Sequence, residues 1–387
     1  MVKLVHLADL HAGKLTAKTL DRNEDLLHAL EQVYDFVKEE RPDYLVVAGD
    51  IFDKRRPDSE SSKLVGDFFV RVAALGTKVL AAAGNHDGSG FLDMFTPWSR
   101  RWGVRIFPRL NTKELVYADG EVAFAVVPFV SERAITELSE GGADARVRYA
   151  EKMRKLLTYA AERVKGFKYR FLVAHLFFAR SKVGKTEQEI TVSDAYAVDQ
   201  SALSEVFHYA ALGHVHRHQR LEFAPAPAYY SGSLYQLDFG EEGQDKFFNF
   251  VVVENGRTSV RPIKLSLLRE LRKVVLKRGE DAKKVLEREK RPNLYLWVEV
   301  EASSPQEFTL RRSLAERILG ENLLKVTVRW KDTSSRSLFR RRNDGRSVED
   351  LRDPLKMYRE YCLTALGRKP DPRTEELIRE LLQRVGV

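Results

Sequence analysis

The sequence predicts an α/β domain, a sheet with helices on its faces, followed by a smaller α+β domain and a helical tail. Three observations carry this expectation. Through the first 130 residues, short apolar runs of strand character alternate with stretches of helical periodicity, the rhythm of a sheet covered on its faces. Five short segments bearing histidine and aspartate each follow an apolar run, as ligand-bearing loops do at strand ends in an α/β sheet. From about residue 269 the rhythm changes to a strand, a short helix and a strand that alternates apolar with polar residues.

Taken in order, residues 2–8 read as a strand and 22–40 as a helix, with Leu26, Leu27, Leu30, Val33, Phe36 and Val37 at helical spacing. Residues 44–47 and 78–82 are strands on either side of a helix over 59–74. A further helix is expected over 91–102, where Leu92, Met94, Phe95, Pro97 and Trp98 give a surplus of apolar side chains. Strands follow at 122–127, 170–174 and 210–212, with a helix over 147–165 between the first two. Residues 247–253 and 259–264 flank Glu254-Asn255-Gly256-Arg257 and read as a hairpin that closes a domain over 1–265. A second domain over 266–330 reads as strand 270–276, helix 282–290 and strand 294–300. A helix then enters at Ser304-Pro305 and runs to Leu319, with Glu307 in a capping-box position, before strand 324–330. Residues 331–348, with Arg340, Arg341 and Arg342 in succession, read as a basic linker. The tail, 349–387, reads as two amphipathic helices that present Leu351, Leu355, Tyr358 and Cys362, then Leu377, Ile378, Leu381 and Leu382.

Charge is distributed unevenly along the chain. The net charge is +9, and all of it lies from Leu265 onward, where 29 basic residues face 20 acidic ones. A basic balance favours a polyanionic partner through phosphate contacts and counterion release. The single cysteine, Cys362, excludes an intramolecular disulfide framework and fits a reducing cytoplasm. No apolar window is long enough to span a membrane, so no membrane partner is expected.

The chemistry lies in the five segments. Asp9 and His11, two apart past the first strand, point the same way along an extended chain and can reach one ion. Alone, such a pair is also what a turn aspartate and a surface histidine look like. Gly49-Asp50 places a carboxylate directly at a strand end, where its two oxygens can bridge two ions. Asp53 reads either as an orienting partner or as a helix cap. In Gly84-Asn85-His86-Asp87 the amide oxygen of Asn85 is an uncharged ligand. His86 points elsewhere and is free to act as general acid, and Asp87 is expected to hold the other nitrogen of its imidazole. His175 ends a strand, where a core histidine is the plain alternative. His214 and His216 repeat the two-residue spacing after Gly213. Carboxylates, an amide and imidazoles together suit two divalent ions and the hydrolysis of phosphate esters. Such O/N donors discriminate poorly between Mn²⁺, Mg²⁺ and Fe²⁺, and Mn²⁺ is expected. His6, His28 and His208 read as ordinary structural residues, and His218 as a possible substrate contact. Gly184-Lys185-Thr186 resembles the end of a phosphate-binding loop, but Ala179 stands where that loop needs glycine.

These residues resemble the calcineurin-like metallophosphoesterase superfamily, whose D-x-H, G-D-x-x-D, G-N-H-D/E, strand-end His and G-H-x-H are all present. Within it, the chain is similar to the SbcD-type family of DNA-repair nuclease subunits. That similarity rests on residues 4–11, Gly49-Asp50-Ile51-Phe52-Asp53, Tyr230-Ser231-Gly232-Ser233-Leu234 and Asp353-Pro354-Leu355. The resemblance implies a β-sandwich flanked by helices, an α+β capping domain that helps to bind DNA, and C-terminal helices that dock on an SMC-like ATPase. It further implies that Asp9, His11, Asp50 and His216 hold one metal, and Asp50, Asn85, His175 and His214 the other, with His86 assisting catalysis. The implied activity is 3′-to-5′ exonuclease action on duplex ends and endonuclease action on single strands, by a homodimer. The motifs are shared with protein phosphatases and small-molecule phosphodiesterases. A non-catalytic scaffold for DNA ends would also explain the basic C-terminal third.

Overall fold

The computed structural model describes residues 1–131, 145–182, 197–330, 355, 358–359, 362 and 370–384. In chain order the elements are β1 (Val2–Leu7), β2 (Leu15–Thr16), β3 (Leu20–Asp21), α1 (Asn23–Glu40), β4 (Tyr44–Ala48), α2 (Ser59–Ala74) and β5 (Lys78–Ala82). There follow α3 (Ser89–Asp93), α4 (Thr96–Ser99), β6 (Val104–Phe107), β7 (Val116–Asp119), β8 (Val122–Val127), α5 (Ala145–Val164), β9 (Tyr169–His175) and β10 (Tyr209–Gly213). Then come β11 (Gln219–Arg220), β12 (Ala228–Tyr230), β13 (Lys246–Glu254), β14 (Arg257–Leu265), β15 (Glu270–Leu276), α6 (Ala282–Glu289), β16 (Leu294–Ala302), α7 (Pro305–Leu319), β17 (Leu323–Trp330) and α8 (Pro372–Arg384).

Two six-stranded sheets, ordered β14-β13-β1-β4-β5-β6 and β11-β12-β10-β9-β8-β7, stack face to face. Both have helices on their outer faces. Leu4 of β1 and Ala8 just past its end meet Phe124, Phe171 and Val173 of the second sheet in the inter-sheet core. Val5 and Leu7, of opposite parity, pack with Leu26, Leu30 and Val33 of α1 and with Val65, Phe69 and Val72 of α2. On the far side, Ala125, Leu172 and Ala210 pack against Met153, Leu157 and Val164 of α5. Both faces of each sheet are thus covered, which is why the central strands read as continuous apolar runs. Leu27, expected in the α1 stripe, is exposed. The hairpin β13–β14 turns through Asn255 and Gly256, both with positive φ, as a two-residue loop between twisted strands requires.

The expected helix over 91–102 is a correction. The chain there breaks into α3, α4 and a 3-10 turn at Arg100–Trp102, because Pro97, with no N–H to donate, sits in the first turn of α4 and starts a new helix. The edge strands β6 and β7 were not expected.

The third sheet is ordered β15-β16-β17. By packing, one compact unit comprises Met1–Val275, Asp281–Glu299 and Leu314–Thr327, and the other Leu276–Glu280, Val300–Ser313 and Val328–Val387. The first unit therefore carries β15 together with the sandwich. Arg269 reaches back to the buried Asp25, and Leu271 N–H donates to Gln236 Oε1. The linker at 331–348, most of the first expected tail helix and Gly184-Lys185-Thr186 lie outside the described residues. Within the tail, α8 is helical, with Leu377 and Leu381 exposed.

Candidate metal centre

β1, β4 and β5 of one sheet run parallel, as do β9 and β10 of the other, and all five end at one edge of the sandwich. The loops that leave them carry Asp9 and His11, Asp50, Asn85 and His86, and His214 and His216, while His175 is the last residue of β9. The site is therefore assembled across both sheets.

The local backbone is unusual. Asp9, His11, Asp50 and His214 have φ of 52°, 44°, 50° and 102°. Positive φ is unfavourable for residues with a Cβ, on the order of 1–3 kcal/mol each, and persists where the surroundings over-determine it. Gly49 has φ 91°, and a Cβ there would lie 2.2 Å from His175 Nδ1. Glycine lets β4 end directly beneath that ring.

Asp50 sits between two groups of donors. Its Oδ2 lies 3.6 Å from His11 Nε2 and 3.5 Å from His175 Nε2, and its Oδ1 accepts from His86 N–H at 2.8 Å. On one side, Asp9, His11 and His216 bring ligand atoms within 4.8 Å of one another. On the other, Asn85 Oδ1 lies 3.0 Å from His175 Nε2 and 2.9 Å from His214 Nδ1. Asp53 accepts from His11 Nδ1 at 3.2 Å and pairs with Lys14 at 3.0 Å. No helix starts at Asp53; the cap of α2 is Asp58, which accepts from Ser61 N–H.

The electrostatics are those of buried groups that lack a counter-charge. Burial pushes the Asp9 carboxyl up to about 6, and the His11 and His214 imidazoles down to about 4 and about 3. Burial works against the proton on His175 too, but the Asp50 and Asp9 carboxylates outweigh it and hold that group at about 9. Asp50 is held well below the carboxylate range, its burial more than offset by His175 and His11. His11 Nε2 is buried and has no hydrogen-bond partner. An orphaned imidazole nitrogen facing a desolvated carboxylate fits a divalent ion, which would satisfy both.

Two sequence-derived assignments are corrected by the hydrogen bonding. Asp87 does not touch the His86 ring. Its buried carboxylate accepts from the backbone N–H groups of Ile51, Phe52 and Gly84, at 3.1, 2.9 and 2.8 Å, and ties two ligand loops together. The His86 imidazole instead donates from Nδ1 to the carbonyl oxygen of Asp53, at 3.0 Å. His218 is taken up by Asn249 Oδ1 at 2.9 Å and packs on Phe247, so its ring is already committed.

The residue missed in the sequence is Glu241, fully buried in a 3-10 turn at Phe239–Glu241. It accepts from His216 Nδ1 at 3.0 Å and from Leu237 N–H at 3.1 Å, and it pairs with the buried Lys246. Burial raises its pKa, but Lys246 and His216 outweigh that and bring it down to about 2. An ionised carboxylate only accepts, so His216 carries its proton on Nδ1 and presents Nε2 as the candidate ligand atom.

A family model described as calcineurin-like phosphoesterase matches residues 2–218, and the chain belongs to that family. Its metal centre is that of a metal-dependent phosphoesterase. The chain is 28% identical over 266 residues to the SbcD component of the SbcCD nuclease from Bacillus subtilis (strain 168), covering 66% of this chain and 67% of that protein. It is 28% identical over 284 residues to the protein of the same name from Staphylococcus saprophyticus, covering 73% of each. Among solved structures, a dimetal phosphatase from Danio rerio is similar at TM-score 0.44 and 13% identity, over 69% of this chain and 99% of that one.

Proposed function

We propose that this chain is a metal-dependent DNA nuclease subunit, a 3′-to-5′ exonuclease on duplex ends and an endonuclease on single strands. One observation carries the reading. All seven expected ligand residues meet at one edge of the sandwich, around a buried unpartnered imidazole nitrogen, in a chain similar to nuclease subunits. Asp9, His11, Asp50 and His216 would hold one ion, and Asp50, Asn85, His175 and His214 the other, with Mn²⁺ as the proposed metal and Mg²⁺ or Fe²⁺ as alternatives. When bound, the ions supply Lewis-acid stabilisation of charge on the non-bridging phosphate oxygens.

The chain's own groups do the rest. His86 Nδ1–H is fixed by Asp53 O, and its Nε2 has no partner among the described residues. As an imidazolium it can deliver a proton from Nε2 to the departing 3′-oxygen. Asp53 and Glu241 hold His11 and His216 in the tautomer that turns Nε2 inward.

The assembly belongs to the same proposal. Residues 1–265 form the phosphoesterase domain and 266–330 the capping domain. Residues 331–348 are the linker, and 349–387 are a helical segment that binds an SbcC-type SMC-like ATPase. The exposed Leu377 and Leu381 support the last assignment. Exposed Met94, Phe95, Trp98 and Trp102, beside an apolar cavity of about 200 Å³, support a homodimer contact there, with Arg100, Arg101 and Arg105 along its rim. No described helix is long and apolar enough to cross a membrane, and a cytoplasmic location is proposed. Cleavage of labelled duplex and single-stranded DNA, run with Mn²⁺, with Mg²⁺ and with EDTA, tests the activity. Hydrolysis of a phosphopeptide without any cleavage of DNA would overturn it.

A further inference from the structure

A groove of about 670 Å³ is lined by the loops that follow Asp53 and His86, and its size is well within the roughly 300–1,000 Å³ of ordinary ligand pockets. One wall is Arg55, Arg56 and Pro57, and the other is Gly88, Ser89 and Gly90, with Phe91 and Met94 lining the remainder. Its two walls are the continuations of ligand loops. Asp53, which fixes both His11 and His86, is followed directly by Lys54-Arg55-Arg56, and Gly88 is two residues past His86.

The groove is preformed. A Cβ on Gly88 would lie 2.0 Å from the Arg55 carbonyl oxygen, so the two loops already touch backbone to backbone. The Phe91 ring is held edge-on by Phe52 and Phe95, at centroid distances of 5.6 and 5.1 Å, while Met94 is 59% exposed.

Its charges are unspent. Neither Arg55 nor Arg56 has an ion-pair, hydrogen-bond or ring partner among the described residues, and the same holds for Lys54. Among the described residues, some exposed cations of this sandwich are paired, such as Arg71 with Glu31, Lys78 with Asp119 and Arg261 with Glu40, and others, such as Lys38, Lys63 and Arg101, are not; what sets Arg55 and Arg56 apart is that both line one groove. Two unpaired guanidiniums sharing a groove with an aromatic and a thioether, two and three residues past the Asp53 whose carbonyl oxygen fixes the general acid, match a chain of phosphates that carries bases.

We propose that this groove seats the single strand on the leaving-group side of the scissile phosphate, an inference that rests on the nuclease reading above. Arg55 and Arg56 take flanking phosphates, and Phe91 and Met94 meet a base or sugar. The groove thereby selects a polynucleotide over a small phosphodiester.

The test compares the full chain with its Arg55→Ala/Arg56→Ala variant, both on exposed loop positions. Binding of a fluorescent single-stranded oligonucleotide is followed by anisotropy in EDTA, which prevents cleavage, across a salt series. Kd should rise about tenfold, and the slope of log Kd against log salt should shrink by about 1.4, roughly 0.7 for each lost phosphate contact. With Mn²⁺ present, the ratio of kcat/KM for the oligonucleotide to that for bis(p-nitrophenyl) phosphate should fall by a similar factor. The comparison variant Lys165→Ala/Lys168→Ala removes two lysines just before β9, at the end opposite His175. Wild-type affinity and salt slope in the arginine variant would overturn the proposal while leaving the nuclease reading intact. An equal loss in the lysine variant would overturn it in the same way, because diffuse charge would then carry the binding. A wild-type chain that hydrolyses the small ester but neither binds nor cuts the oligonucleotide would overturn both.

Discussion

Glu241 Oε1 accepts a hydrogen bond at 3.0 Å from Nδ1 of His216, from a turn 25 residues further along the chain. Its other oxygen faces the buried Lys246, so one carboxylate serves both a ligand and a cation. Glu241→Gln should lower metal affinity by about 10–100-fold, the usual effect of removing a carboxylate behind a ligating histidine. It should also cost about 3–5 kcal/mol of stability, because Lys246 is left buried without its counter-charge. Adding Lys246→Met should recover stability but not affinity. Metal titration calorimetry and chemical denaturation separate the two effects.

Asp50 lies within reach of both donor groups, its Oδ2 3.6 Å from His11 Nε2 and 3.5 Å from His175 Nε2. Asp50→Asn keeps an oxygen for the His86 N–H but loses the charge. It should reduce the metal bound per chain and slow hydrolysis by roughly a thousandfold, several kcal/mol of transition-state stabilisation. Metal content by elemental analysis, read beside turnover of a small phosphodiester, checks it. Full occupancy with normal turnover would contradict the bridging position.

His86 differs in kind, since its ring lies outside the expected ligand set. His86→Ser should leave metal content unchanged and slow DNA cleavage by about 10²–10⁴-fold, the range for loss of a positioned general acid. Equal loss of metal in this variant would place His86 among the ligands instead.

His6 offers a pH prediction away from the metals. It is fully buried in the inter-sheet core, with Nδ1 2.9 Å from Tyr209 Oη and Nε2 3.2 Å from Leu212 O. Burial holds its pKa down at about 3, against 6.5 in the unfolded chain. The unfolded state therefore takes up the proton first. The contribution of His6 is complete above pH 6.5 and declines as pH falls from 6.5 towards 3, by up to about 1.4 kcal/mol per unit. His6→Gln should flatten the fall in stability between pH 7 and pH 4.5, measured by urea denaturation of the metal-free protein. An unchanged slope would mean that His6 already titrates normally.

The aromatic face of α3 and α4 bears on assembly. Trp98→Lys together with Trp102→Lys should convert a dimer to a monomer without loss of fold, since both rings are more than half exposed. Light scattering at matched concentration reads the change, and a wild-type monomer would remove the basis for the dimer.

The candidate ligands were legible because each stands within about four residues of the end of an apolar run, and a strand's end is a local property. Partners were less so. Adjacency suggested that Asp87 serves His86, yet neighbouring side chains on a bent loop diverge, and Asp87 turns back to three backbone N–H groups. Glu241 was invisible because its partner is remote in sequence and no spacing marks it; only the structure brings the 3-10 turn under His216. Pro97 was a readable signal of the broken helix that the apolar surplus around it outweighed. The edge strands β6 and β7 are short and only partly buried, so they lack the continuous apolar signature of the central strands.

Because the ligands divide between the two sheets, the thickness of the inter-sheet core sets the span of the metal centre. Phe124 and Phe171, side by side on β8 and β9 of the second sheet, and Tyr44 of β4, edge-on to Phe124 across the core with ring centroids 4.8 Å apart, act as spacers between the sheets. The sandwich thus works as a caliper: its jaws carry the candidate ligands, and these rings fix how far the jaws stand open. Thinning a spacer would register as mistuned metal separation, even where the strands and every ligand remained in place.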